Sequence, residues 1–76
     1  MTEAELLGRI TIELGKCGGR PCIRGMRIRV LDVLQMLAAG DTTETILAEF
    51  PYLEREDISA SLLYAARQMD HSVVAA

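Results

Sequence analysis

Residues 30–57 read VLDVLQMLAAGDTTETILAEFPYLERED. Val30, Leu31, Val33, Leu34, Leu37 and Ala38 recur at the spacing that puts them on one face of a helix, which predicts a first helix over 31–39. Gly40 then offers the conformation that ends a helix. Asp41 or Thr42 is the N-cap of a second helix over 43–50, with Glu44 three residues after Asp41 as in a capping box. Its inward residues are Ile46, Leu47 and Phe50. Pro51 stops it, because the residue before a proline is pushed out of the helical region.

Downstream, a third helix is expected over 55–70, with Ile58, Leu62, Ala65 or Ala66, and Met69 as its buried stripe. Glu54, Glu56 and Asp57 suit its positive N-terminal end. Upstream, Arg9-Ile10-Thr11-Ile12 alternates polar and apolar, as a short strand does. Gly15, Gly18, Gly19, Pro21 and Gly25 then break the chain. Cys22-Ile23-Arg24 and Arg27-Ile28-Arg29-Val30 flank Gly25-Met26, the expected turn of a small β-hairpin. In that hairpin Ile23, Ile28 and Val30 face inward, and Arg24, Arg27 and Arg29 project away. Three short helices with a β element attached match a helix-turn-helix plan. The expectation is a mainly α, single domain over 1–76: a hairpin arm at 9–30, the three-helix unit at 31–70 and a frayed tail at 71–76.

Seventy-six residues make at most one domain, and a lone core of that size is marginal. A second copy is therefore an expected partner. The net charge of −3 conceals an uneven distribution. Residues 1–30 carry six basic groups (Arg9, Lys16, Arg20, Arg24, Arg27, Arg29) against three acidic ones, giving +3; residues 31–76 carry two against eight, giving −6. A basic half points to an anionic partner. Glu3 and Glu5 stand where a leader would be positive, and no apolar run is long enough for a membrane. A cytoplasmic location with reduced thiols is expected.

Catalysis needs a nucleophile with a base, an acid–base pair or a metal. His71 lies near the tail with no cysteine in sequence reach, and reads as a solvated histidine. Cys17 and Cys22 lack the second pair of a zinc site and the C-x-x-C of a redox motif. Gly15-Lys16-Cys17-Gly18-Gly19-Arg20 lacks the order and βαβ context of a phosphate loop. The reading is a binding module with no catalytic residue, metal or cofactor. Arg20, Arg24, Arg27 and Arg29 are the first candidates for DNA, since arginine forks to phosphates and guanine edges. Arg55 and Ser59 are candidates on the third helix. The carboxylates at that helix's start would repel phosphates, so Glu54, Glu56 and Asp57, with Tyr64 and Arg67, are candidates for a protein partner. One form of that contact has the acidic half imitating RNA in a basic nuclease site.

Gly-Gly-Arg-Pro-Cys-Ile-Arg-Gly-Met-Arg-Ile-Arg-Val at 18–30 resembles the signature of the domain-of-unknown-function 433 family. The resemblance continues through Leu-x-x-Leu-Ala-x-Gly at 34–40, Phe-Pro-x-Leu at 50–53, Glu56-Asp57-Ile58 and Leu-x-Tyr-Ala-Ala at 62–66, and spans roughly 9–70. Met26 replaces a usual threonine and Arg29 a common proline. The resemblance implies a winged or homeodomain-like helix-turn-helix fold. It also implies a prokaryotic antitoxin of the VapB type, dimeric, that binds its own operator DNA while masking a PIN-like ribonuclease toxin. The alternatives are a stand-alone transcriptional regulator and a protein-interaction module without DNA binding.

Overall fold

The structure, a computed structural model, describes residues 1–70; the readings of His71 and the tail lie outside the described residues. In chain order the elements are α1 (Glu3–Leu7), β1 (Ile10–Thr11), a 3₁₀ turn (Cys17–Gly19), β2 (Cys22–Ile23), α2 (Val30–Ala38), α3 (Thr43–Glu49) and α4 (Arg55–Met69). Among the described residues the chain is mainly helical, with four helices and one two-stranded antiparallel sheet.

The three expected helices are present with ends shifted by one residue at most. Thr42, not Asp41, caps α3: its hydroxyl accepts from the Thr45 N–H at 3.1 Å. Gly40 leaves α2 at φ +98°, a conformation costly to a residue with a Cβ. α1 was not expected. Thr2 and Glu5 form its capping box, Thr2 Oγ1 accepting from the Glu5 N–H at 3.1 Å and Glu5 Oε1 from the Thr2 N–H at 2.8 Å. That S/T-x-x-E spacing is readable in the sequence.

The hairpin differs from its expected form. β2 pairs with β1, Ile10 opposite Ile23 and Thr11 opposite Cys22, while the 27–30 segment contributes one bridge, Arg29 to Cys22. The turn is one residue earlier than expected. The Met26 N–H donates to the Ile23 carbonyl at 2.8 Å, and the two central residues, Arg24 and Gly25, have φ +46° and +70°. Two left-handed residues in succession are the signature of a tight hairpin turn. Arg24 therefore stands at the apex instead of projecting from a strand.

Ile23, Ile28, Val30, Val33, Ile46, Leu53 and Ile58 form the core. Ile23, Ile28 and Val30 face inward as expected, and Leu47 and Phe50 pack against this cluster. α4 is turned relative to its expected stripe. Asp57, Ile58, Ala60 and Ser61 are buried, whereas Leu62 is 50% and Met69 84% exposed. A buried carboxylate explains the rotation.

Candidate binding surfaces

Asp57 is wholly inaccessible, and its carboxylate is clasped from two sides. Arg24 donates through Nε and Nη2 at 2.8–3.2 Å, Arg9 through Nη1 at 2.9 Å, and the Glu54 N–H at 2.8 Å. Burial alone pushes the carboxyl's pKa up, but the bonds from Arg24, Glu54 and Arg9 outweigh it and hold the pKa below its ordinary value. Ser61 donates its hydroxyl to the Asp57 carbonyl one turn back, at 2.9 Å. The clasp joins Arg9, the residue just before β1, to the arm turn and the start of α4. Arg24 also donates to the Tyr52 carbonyl at 2.8 Å, which fixes the turn between α3 and α4.

Four of the expected contact arginines thus have internal partners. Arg24 is bound to Asp57. Arg29, the N-cap of α2, pairs with Asp32 at 2.7 Å, and Asp32 also accepts the Arg29 N–H. Arg55 pairs with Glu44 at 2.9 Å, and Arg67 pairs with Glu3. The Asp32 and Glu44 carboxyls are lowered by their arginines, as opposite charge requires. On the acidic side, Glu54 pairs with Arg9 at 2.7 Å, and Asp57 is interior rather than presented to a partner. Among the described residues, Arg20, Arg27, Glu56 and Ser59 are the expected contacts that are exposed with no side-chain hydrogen bond or ion pair. The four arm arginines therefore do not form one strip.

Two concavities hold the unpaired arginines. The first, about 460 Å³, lies between the arm, α2 and the α3–α4 turn. Ile28, Met36 and Phe50 line it with Gln35, Arg27 and Tyr52. Tyr52 is 48% exposed, and its ring meets Phe50 edge to face, 6.0 Å between centroids and 77° between planes. The second, about 420 Å³, runs between α2 and α4 and is lined by Leu31, Leu34, Tyr64, Ala65 and Met69, with Pro21 and Arg20 beside them. Tyr64 and Arg20 were expected contacts; Tyr52, Leu31 and Met69 were not. An aromatic directly after the helix-stopping Pro51 was the available signal for Tyr52.

Cys22 is buried, and burial pushes its thiol up to about 11. Cys17 is half-buried in the 3₁₀ turn. Both are free thiols.

These features define a small, mainly helical domain with a two-stranded clasp and two solvent-facing concavities. Residues 10–65 match the profile described as "Protein of unknown function (DUF433)", and the chain belongs to that family. It is similar to the uncharacterized protein y4eO of Sinorhizobium fredii, with 42% identity over 48 residues, which is 63% of this chain and 22% of that protein. It is also similar to the crystal structure of a DUF433 member protein from Anabaena variabilis, with 33% identity and a TM-score of 0.78, covering 87% of this chain and 65% of that one. The chain thus spans about a fifth of the curated relative. No helix among the described residues is long and apolar enough to cross a membrane.

Proposed function

We propose that this chain is the antitoxin of a type II toxin–antitoxin pair, a cytoplasmic protein that neutralises a PIN-like ribonuclease and, as a dimer, binds operator DNA. The observation that carries the protein-binding half is the Arg27–Tyr52 cleft. Arginine and tyrosine are the residues in which interface binding energy concentrates, most strongly at a well-packed pocket. Arg27 is exposed and unpaired among the described residues, beside a half-exposed tyrosine whose backbone the Arg24 clasp holds in place. α3 and α4, joined by the turn through Pro51, are read as a helix-turn-helix pair. With Asp57 withdrawn from the surface and Glu54 paired, the start of α4 keeps Glu56 as its one free carboxylate among the described residues.

The test is co-expression with the PIN-like ribonuclease proposed as the partner, the product of any such gene beside this chain's own. Ribonuclease activity in the lysate is expected to fall with the wild-type chain and to return with Arg27→Ala plus Tyr52→Ala. Full inhibition by that double variant would remove the cleft from the reading. For DNA, Arg20 and Arg27 are the available cations on the arm. Loss of one phosphate contact per site is expected to flatten the log–log salt slope by about 0.9. An unchanged slope for Arg20→Ala with Arg27→Ala would remove the arm as the DNA element.

A further inference from the structure

We infer that Cys17 and Cys22 are a reversible oxidation site, closing to an intramolecular disulfide in the folded chain when a small-molecule disulfide supplies the oxidant. The C-x4-C spacing gives no sign of this, because the turn between the two residues makes the pairing.

Cys17, Gly18 and Gly19 follow one another at φ +52°, +65° and +76°, and this left-handed run curls the chain back on itself. Two bonds through one residue hold the curl. The Arg20 N–H donates to the Cys17 carbonyl at 3.2 Å, and the Cys22 thiol donates to the Arg20 carbonyl at 3.3 Å. Both cysteines are thereby folded onto the same turn. β2 holds Cys22 opposite Thr11, and its other side bridges to Arg29. The side chains meet: burial pushes the Cys22 thiol up, and its hydrogen bond with the Cys17 side chain pushes it further. Arg29, raised chiefly by Asp32, also feels both thiols, which places the two sulfurs on one side of the turn.

Unequal access sets the order of steps. Cys17 is half-buried and meets the reagent; Cys22 is 2% exposed and does not. The Cys17 thiolate attacks one sulfur of oxidised glutathione and expels one glutathione thiolate, leaving a mixed disulfide. Cys22 then gives up its proton and attacks the Cys17 sulfur, expelling the second glutathione thiolate. Two protein thiols are oxidised, one glutathione disulfide is reduced to two thiols, and these take up the two protons. A buried, raised thiol reacts poorly with an outside reagent, but a neighbour already in place gains a high effective concentration. Closure consumes the S–H that the Arg20 carbonyl accepts, so oxidation acts on the turn that carries Arg20.

Equilibration of the full-length chain in buffers of oxidised and reduced glutathione, followed by acid quench and mass spectrometry, tests this without nuclease or DNA. The wild type is expected to lose two hydrogens as a single chain and to regain them in dithiothreitol. It is expected to close roughly tenfold more readily folded than unfolded in urea, because the fold has already brought the sulfurs together. Cys22→Ser is expected to stop at a glutathione adduct on Cys17, and Cys17→Ser to stay reduced while folded. A folded wild type that stops at the Cys17 adduct, or links to a second chain instead, would overturn the proposal. Closure no easier in the folded chain than in urea would overturn it equally. Neither result would bear on the Arg27–Tyr52 cleft.

Discussion

Asp57 keeps its charge in the interior, where an isolated carboxylate would give it up. Arg24 and Arg9 make that possible, and Arg24 is thereby committed to the fold. Arg24→Ala is expected to destabilise the domain by about 3 kcal/mol, the lower edge of what losing one partner of a buried pair costs, because Arg9 remains. Chemical denaturation measures it; a loss within noise would mean that the clasp carries no net stability. The pH dependence follows from the lowered Asp57 pKa. A group whose folded pKa is depressed stabilises the fold above its unfolded value near pH 4 and loses that contribution as pH falls through the folded value. Wild-type stability should therefore drop on acidification below about pH 4, and Asp57→Asn should remove part of that slope. Cys22, with its thiol up near 11, is expected to resist alkylation at pH 8 until the chain unfolds, while half-buried Cys17 reacts in the native state. Modification of both at equal rates would contradict the burial.

The helices were legible because their stops and caps are local. Pro51, Gly40 and the Thr42 region each act within a residue or two of their own position. Thr42→Ala is expected to cost about 1 kcal/mol, the usual worth of a threonine cap, measured by thermal unfolding. The capping box at Thr2 and Glu5 was equally local, and α1 was readable from it. The rotation of α4 was not. Helical spacing marks Ile58, Leu62 and Met69 as one stripe, and only a contact across the chain shows that Asp57 and Ser61 take the inside instead. The arm turn was missed for a related reason. A positive φ at a non-glycine residue runs against local preference, and Arg24 has an ionic anchor 33 residues away in sequence.

For the whole molecule, uneven charge along the chain suggested a basic arm free to bind. In the fold much of that charge is spent internally: Arg9, Arg24 and Arg29 pair with carboxylates, leaving Arg20 and Arg27 on the rims of two separate concavities. Composition shows how many charges a chain has, and only tertiary pairing shows which are left over. The central claim is that Arg27 is a contact residue and Arg24 a structural one. Calorimetric titration of Arg27→Ala against the PIN-like nuclease proposed as the partner tests it most directly. The expected result is an unchanged melting temperature and an affinity weaker by roughly 30-fold, the equivalent of a hot-spot loss of about 2 kcal/mol. Wild-type affinity for Arg27→Ala would contradict it.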